Sequence, residues 1–379
     1  PQDAAGFAST YTFWWMTPTL RAANAKGRLD AGDLPKLPRS DGAARLARAL
    51  KATWLERPGG AGSLLVALLA RMQPRVVLGA LGHGWLFLSL MFLDPIILRR
   101  LLDGAGADSA AAARRNLGYA AALSASMFVR VACMEVCFFG SVRAMNNCRT
   151  AIVPLVFRAA VGGRTDEDSG KLTNLMATDA DKLGRWSWTL FFAAQWSFAV
   201  VSLPAVAYCM YDLLGAAALV GAATVVAANQ AALEIGKRTK PAVLRLQEAR
   251  DARAKLTTEM LAGVRLAKLR GWTAAVRARV AAAREAEMAA LKTTRYLDAL
   301  NVFVGCVAAL AVPVAIFSWY ALVEKKSLSP AVAFTALAWI TQMEWSINTL
   351  PDIYNLWSSL SPSVERLADF LLRAPKELA

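Results

Sequence analysis

The chain has 379 residues, of which 56% are hydrophobic and 19% charged, and its formal net charge is +15. A soluble domain is usually about one quarter charged. Here the apolar residues form long uninterrupted blocks, so the composition favours an integral membrane protein over a soluble one. An excess of Lys and Arg is typical of cytoplasmic loops in such a protein, and we expect no nucleic-acid partner.

The single histidine and the five cysteines, which form no C-x-x-C pair, predict no metal site.

The N-terminal segment, residues 1–58, mixes aromatic side chains with scattered charge. Phe13, Trp14 and Trp15 stand together in it, and we expect the segment to lie along the inner leaflet and against the membrane helices. Both a regulatory arm and simple packing are consistent with this pattern. The chain begins with Pro1 and has no regions typical of a signal peptide, so we expect it to be part of a longer polypeptide.

Six apolar blocks are long enough to cross a bilayer, which takes about 20 residues of helix. The predicted spans are 76–93, 117–140, 186–210, 213–233, 300–323 and 330–350. Tyr211 and Asp212 alone separate the third span from the fourth, which predicts a tight hairpin at these two residues. The fold class expected from this pattern is an all-α membrane protein with six transmembrane helices and long cytoplasmic helical extensions.

The segments between the predicted spans alternate in charge. Most of the 43 Lys and Arg residues fall before the first span, in the loops 141–185 and 236–299, and in the C-terminal tail. The positive-inside bias places these segments in the cytoplasm. Six spans then leave both termini cytoplasmic, in a plasma or a vacuolar membrane, which the sequence does not distinguish.

The longer loop, 236–299, is dense in Ala, Leu, Arg, Lys and Glu, which are strong helix formers. We therefore expect spans four and five to continue as helices for about 40 Å beyond the membrane, since about 25 further residues rise 1.5 Å each. The stretch "EMLAGVRLAKLRGW" lies at the far tip, where Gly263 and Gly271 permit sharp turns. Its apolar side chains alternate with basic ones, so it is either a docking surface for a partner protein or a solvated hairpin tip.

The shorter loop contains "GGRTDEDSGKLTNLMATDADKL" and supplies a second tip. Gly162 and Gly163 break the preceding helix, and Asp168 or Ser169 can start the next one. Apolar residues then fall on one helical face. Two short amphipathic tips at the ends of helical arms predict a docking surface for a cytoplasmic module.

These stretches resemble one known family. "SGKLTNLMATDADKL" is similar to the first coupling helix, and "EMLAGVRLAKLRGW" to the second, of ATP-binding cassette exporters of the multidrug-resistance-associated subfamily. "FWWMTPTLRAANAKGRLDAGDLPKLP" resembles the family's N-terminal lasso, and "LPDIYNLWSSLSPSVERLADFL" its last helix and linker. The resemblance implies three parts: a lasso at 1–58, a six-helix type-1 transmembrane domain at 59–360, and a linker at 361–379 toward a nucleotide-binding domain.

The resemblance also implies partners and coupling residues. Two nucleotide-binding domains, which hold ATP and Mg²⁺, and a second transmembrane domain are expected in the same polypeptide. This chain has no G-x-x-x-x-G-K-[ST] sequence, so we expect it to bind no cofactor and to contain no catalytic residue of the ATPase-coupled transporter. The residues that carry over to the two coupling contacts are Asn174, Met176 and Asp179 for the first, and Arg265, Lys268, Leu269 and Trp272 for the second.

Polar residues inside the spans are candidates for a substrate cavity, because charge in a bilayer normally faces protein or water. The candidates are Arg130, His83, Trp339, Gln342, Glu344, Trp345 and Asn348. Arg130 is either a cavity-lining cation or half of a structural ion pair, and His83, between two glycines, fits a satisfied packing residue better than a ligand.

The substrate class and the activity follow from the same resemblance. Many family members move organic anions, which makes an amphipathic organic anion one expected substrate, but Glu344 stands where the family usually carries an Arg, and this reversal of charge argues against that class. The leading hypothesis is a transmembrane half-domain of an ATP-driven exporter that couples to nucleotide-binding domains through its two loops. The alternatives are a channel or channel-regulating subunit on the same scaffold, and a truncated assembly partner without transport activity.

Overall fold

The computed structural model describes residues 5–56, 58–104, 109–162, 169–348 and 350–373. Within these ranges every regular element is a helix and none is a strand, which confirms the all-α class. The side chains of residues 344–355 lie outside the described part. The chain divides into two compact units, one formed by Pro1–Val206 with Phe334–Ala379 and the other by Ala207–Ala333.

The N-terminal helices are short. They are α1 (Phe7–Thr12), α2 (Thr17–Lys26), α3 (Ala43–Glu56) and α4 (Ala61–Val66), with 3₁₀ turns at Trp14–Met16, Ala31–Asp33 and Arg39–Asp41 and a π-helical turn at Ala67–Arg71. The helices that follow are α5 (Pro74–Met91), α6 (Leu93–Asp103), α7 (Ala110–Gly162), α8 (Ser169–Asn174), α9 (Ala180–Arg185) and α10 (Thr189–Leu214). The last are α11 (Ala217–Ala262), α12 (Val264–Leu269), α13 (Thr273–Ser318), α14 (Pro330–Asn348) and α15 (Leu350–Arg373), and π-helical turns lie at Leu175–Asp179 and Trp319–Val323.

Five helical stretches of the described residues are long and apolar enough to cross a membrane. They are Pro74–Asp103, Ala110–Val161, Thr189–Leu214, Ala217–Ala262 and Thr273–Val323. The sixth predicted span coincides with α14, whose apolar part, Pro330–Met343, is shorter than a span. The structure thus contains five of the six spans by length and composition, and the sixth stays a prediction.

The hairpin between spans three and four differs from the sequence prediction. Helix α10 continues through Tyr211 and Asp212 to Leu214, and the chain turns at Gly215, where φ is 62°. A positive φ favours glycine because it has no Cβ, so the turn forms at the glycine rather than at the two polar residues before it. Glu324 then accepts a hydrogen bond from the Ala217 amide at 3.0 Å and satisfies a free donor at the start of α11.

The core of the first unit includes the N-terminal segment. Leu46, Leu50 and Trp54 of α3 are buried in one hydrophobic cluster with Ile152 of α7 and Leu367 of α15. Burying a large apolar side chain contributes roughly 1.5–3 kcal/mol. Helix α3 is therefore a structural part of this unit, and of the two interpretations of the segment the packing one describes residues 43–56.

A polar network holds the preceding turn on α7. Arg143 donates to both carboxylate oxygens of Asp41, at 2.6 and 3.0 Å, and to the Ser40 hydroxyl at 2.9 Å. Asn147 donates to Asp41 at 3.3 Å and to Gln73 at 3.1 Å. A bidentate Arg–carboxylate pair fixes geometry as well as charge, so the network determines where α3 begins on α7.

The second unit is built on a helical pair. Helices α11 and α13 pack along each other, and Gly221 lies against Ile316, whose side chain a Cβ at Gly221 would meet at 2.4 Å. Both helices are 46 residues long, which is about 70 Å at 1.5 Å per residue. This confirms that spans four and five continue as helices well past a bilayer thickness.

Gly84 of α5 provides a test of helix packing in the first unit. An added Cβ there would lie 2.6 Å from the Ala194 Cβ, which is rigid and fully buried. We expect Gly84→Ala to destabilise the protein by about 1–3 kcal/mol because α5 and α10 must separate. The thermal unfolding midpoint of the purified protein in detergent measures this effect.

Gly82 is the matched control on the same helix, since a Cβ there meets no atom within 4 Å. We expect Gly82→Ala to leave the unfolding midpoint unchanged or slightly raised. Equal losses in the two variants would contradict the close approach of α5 and α10.

Candidate coupling site

The first candidate coupling segment is residues 169–185, formed by α8, the π-helical turn and α9. Its apolar face is buried: Leu175, Ala180 and Leu183 belong to the core of the first unit, and Met176 packs against it. Asn174 is exposed. Asp181 binds Arg149 of α7 at 3.2 Å, which ties the segment to that helix. The segment is thus part of the unit's core, with one edge left open.

Asp179 connects this segment to the last helix. Its side chain is 3% exposed, and it accepts hydrogen bonds from Ser363 at 2.8 Å and from Arg366 at 2.9 and 2.5 Å. A buried carboxylate needs a partner of opposite charge, because an unpaired charge there is strongly destabilising. The predicted coupling residue Asp179 therefore joins the segment to α15.

The residues around Asp179 shift the pKa of its carboxyl group. Burial alone would raise the pKa of its carboxyl group, but hydrogen bonds from Arg366 and Ser363 and the positive charges of Arg366 and Lys182 outweigh burial. The pKa of Asp179 consequently lies below its ordinary value. The carboxylate stays ionised wherever the protein is folded at neutral pH.

A groove of about 420 Å³ lies between the segment and α15. Its floor includes Leu175 and Phe370, which are almost fully buried. The polar and charged residues around it are Lys171, Asn174, Thr178, Asp179, Arg366, Asp369 and Arg373. The open edge of the segment is therefore a concave surface that the last helix helps to form.

The second candidate coupling segment, residues 263–272, is the tip of the α11–α13 hairpin. Helix α11 ends at Ala262, just before Gly263, and α12 ends at Leu269, before Gly271, where φ is 69°. The Trp272 amide donates to the Ala267 carbonyl at 2.8 Å and closes the turn. Of the two predicted turn glycines, Gly271 is the one whose backbone requires glycine.

The tip exposes its apolar side chains. Leu269 is 86% exposed, and Val264, Leu266 and Trp272 are exposed as well. The basic residues Arg265 and Lys268 alternate with them and are exposed too. The four predicted residues of this contact thus share one uncovered surface with apolar neighbours.

A charged cluster joins the two helices behind the tip. Glu287 of α13, 3% exposed, binds Arg253 of α11 at 2.5 Å, Arg284 at 2.7 Å and Arg250 at 3.4 Å. We call these four residues the Glu287 cluster. Every residue from 254 to 286 is less buried than Glu287, so the cluster is the last buried junction between α11 and α13 before the tip.

Two predicted cavity residues have partners in the structure. Arg130 forms an ion pair with Asp94, which also accepts a hydrogen bond from Ser126 at 3.2 Å. His83 bonds to the Tyr11 hydroxyl and to the Gly79 carbonyl, both at 2.7 Å. In this structure Arg130 is thus half of an interhelical pair, and both ring nitrogens of His83 are satisfied.

The other cavity candidates lie on α14. Trp339 is 3% exposed and packs edge-on against Phe92, with ring centroids 5.5 Å apart. Gln342 is also buried. The side chains of Glu344, Trp345 and Asn348 lie outside the described residues. A substrate contact by these residues stays a prediction.

Several residues that matter in the structure were not candidates from the sequence. Asp94 lies one residue beyond the predicted end of the first span, and its charge beside an apolar block was the available signal. Arg366 and Glu287 stand in helical stretches rich in charge. No local sequence pattern distinguishes these two residues from neighbouring charged residues that face solvent. Only their partners, which are distant in sequence, distinguish them.

Comparison with known proteins agrees with this architecture. Residues 87–347 match the family model of the ABC transporter transmembrane region. The chain is 26% identical over 380 residues to ATP-binding cassette sub-family C member 10 of Mus musculus, which covers 98% of the chain and 24% of that protein. It is 27% identical over 378 residues to ABC transporter C family member 8 of Dictyostelium discoideum, which covers 97% of the chain and 23% of that protein. The chain thus spans about a quarter of the length of these relatives.

The Asp179–Arg366 pair predicts a pH-dependent contribution to stability. Because the pKa of Asp179 is lowered on folding, the contribution is present above the ordinary Asp pKa of about 3.9 and is lost as the pH falls below it. We expect Asp179→Asn to cost about 1–3 kcal/mol at pH 7. Unfolding midpoints of both proteins between pH 7 and 3 should converge at the acid end.

Asp369→Asn is the control, since Asp369 is an exposed carboxylate on α15 beside the same groove. It should leave the midpoint at pH 7 unchanged. If the difference between wild type and Asp179→Asn does not shrink as the pH falls below the ordinary pKa, the loss does not come from the ionised carboxylate.

The Glu287 cluster predicts that one carboxylate holds the distal hairpin together. In Glu287→Leu three guanidinium groups lose their counter-charge and repel one another, so we expect residues 254–286 to open more often. Hydrogen–deuterium exchange of this segment should be faster. Glu285→Leu, an exposed position on the same helix, should leave exchange unchanged, and equal rates in both variants would count against the cluster.

Proposed function

The chain belongs to the ABC transporter transmembrane region family, and from this premise we propose that it forms half of the translocation pathway of an ATP-driven exporter. It is an integral membrane protein domain, a transmembrane half-domain of an ABC transporter. Its partners in the proposed assembly are a second transmembrane domain and two nucleotide-binding domains. Segments 169–185 and 263–272 are the proposed contacts with those domains.

The exposed tip of the α11–α13 hairpin carries this proposal. Leu266, Leu269 and Trp272 present apolar surface at the end of two helices about 70 Å long, a length well beyond the thickness of a bilayer. Apolar surface of this kind normally marks a protein interface. A nucleotide-binding domain that covers the tip would have a grip on the helices of two membrane spans.

The charged contacts behind each segment support a mechanical role. Asp179 is bonded to Arg366, so a force on the first segment also acts on α15. The Glu287 cluster joins α11 and α13, so a force on the tip acts on both helices together. Rigid arms of this kind transmit a displacement rather than absorb it.

ATP and Mg²⁺ belong to the nucleotide-binding domains in this proposal. The 379 residues contain no G-x-x-x-x-G-K-[ST] sequence that would cradle phosphates. Both termini and both coupling segments are proposed to be cytoplasmic, which the distribution of Lys and Arg supports. The transported ligand is proposed to be an amphipathic small molecule.

Charge introduced at the tip should uncouple the protein. In the full-length transporter we expect Leu269→Asp and Trp272→Asp each to lower ATP-dependent transport at least about tenfold, since buried anchor residues of an interface contribute about 2 kcal/mol or more. Uptake of a fluorescent amphipathic dye into inverted vesicles, with and without ATP, measures this loss.

Leu244→Asp is the matched control, because Leu244 is exposed on α11 but lies far from the tip. It should transport like the wild type. Wild-type transport by the two tip variants, at equal expression, would refute the coupling role of the tip.

A further inference from the structure

Glu135 is a charged residue on the exposed side of a membrane-spanning helix. It lies in the apolar stretch Ala110–Val161, and the neighbours on its helical face are the exposed apolar residues Phe128, Val131 and Val142. Phe128 is 83% exposed. Among the residues that the structure describes, none forms a hydrogen bond or ion pair with the Glu135 carboxylate.

The nearest cation in the sequence does not neutralise Glu135. Arg130 precedes it by five residues, which is about 140° around the helix. Arg130 is already paired with Asp94 of α6. The basic residue that could have attracted anions within this span is therefore paired, and the carboxyl group of Glu135 remains on an apolar face.

A carboxylate in this position needs a partner from outside the chain's described contacts. Charge in the hydrocarbon region is costly, and such residues normally face protein, water or an ion of opposite charge. The aromatic residues near Glu135 indicate which of these fits, because the N-terminal segment packs rings against Phe139 of the same helix.

Phe139 follows Glu135 by four residues, so the two side chains are neighbours on the helix surface. Phe13 packs edge-on against Phe139, with ring centroids 5.5 Å apart, and Trp15 does so at 5.8 Å. Trp14, between them in sequence, is 68% exposed. A carboxylate one helical turn from an aromatic ring, which two further rings contact, combines two kinds of group that attract a weakly hydrated cation.

We propose that Glu135, Phe139, Phe13 and Trp15 form a binding site for a lipophilic organic cation, such as a quaternary ammonium or phosphonium group. The carboxylate neutralises the charge, and the rings cover the apolar substituents. The same chemistry is offered by a small amphipathic molecule and by the choline headgroup of a lipid. The site would disfavour organic anions.

This binding goes beyond the proposed coupling function and does not depend on it. It requires no nucleotide and no movement of the arms. A protein that fails to couple ATP to transport can therefore still show the site, and a coupled transporter can lack it.

Two ions of the same size and opposite charge test the site. Tetraphenylphosphonium and tetraphenylborate are measured by equilibrium dialysis against the purified full chain in nanodiscs, without nucleotide. We expect saturable binding of the phosphonium ion, weakened about tenfold in Glu135→Gln and about threefold or more in Trp15→Ala. Glu248→Gln, which removes an exposed carboxylate from the arm of α11, should bind like the wild type.

The outcomes are distinct. Equal binding of the two ions, or unchanged phosphonium binding in Glu135→Gln, would overturn the proposal. The unfolding midpoint of Glu135→Gln should match the wild type, because the carboxylate makes no contact that folding needs. A loss of binding at an unchanged midpoint supports the site.

The lipid used in the nanodiscs distinguishes the two possible sources of the cation, a choline headgroup and a small amphipathic molecule. Nanodiscs of phosphatidylcholine are compared with nanodiscs of digalactosyldiacylglycerol, which forms bilayers and has no cationic headgroup. Weaker phosphonium binding in phosphatidylcholine supports a site that a choline headgroup occupies. Equal binding in both lipids supports a site for a small amphipathic cation.

Discussion

Asp179 and Arg366 join two parts of the chain that lie 187 residues apart in sequence, and the first candidate coupling segment depends on this pair. The segment packs its apolar face into the core of the first unit, so a carboxylate on that face would strongly destabilise the protein without a counter-charge. Arg366 supplies the counter-charge from α15. The segment, α15 and the groove between them consequently form one connected structure, and any partner that binds there contacts both.

The second candidate segment is held in a different way. The 263–272 tip lies beyond the last buried junction of α11 and α13, and its own apolar side chains are uncovered. Its position is determined by the length and stiffness of two helices and by the Glu287 cluster that keeps them paired. One segment is thus anchored by burial and the other by a long paired arm, although both use a carboxylate and arginines at the anchoring point.

The charged residues within the apolar membrane stretches differ in whether another residue of the chain pairs with them. Asp94 neutralises Arg130, so of the two roles predicted for Arg130 this structure shows the ion pair between helices. Glu135, on another side of the same helix, lies on an apolar surface, one helical turn from Phe139, against which aromatic rings of the N-terminal segment pack. The N-terminal segment therefore contributes in two ways, with α3 in the hydrophobic core and with the residues around Phe13 on the face of α7.

Local patterns in the sequence determined the helical class, five of the six predicted apolar spans, the long α11–α13 arm and the exposed tip, because composition and helix periodicity act over neighbouring residues. The turn at Gly271 could also be predicted from the sequence, since glycine adopts a positive φ without the steric cost that other residues have. The prediction from polarity placed the preceding hairpin at Tyr211 and Asp212, whereas the chain turns at Gly215. Only the tertiary structure decided the partners of Arg130, Asp179 and Glu287, which lie 36, 187 and 34 residues away along the chain. A charged side chain in a helix looks the same in sequence whether water or a distant helix neutralises it, and packing decides between the two.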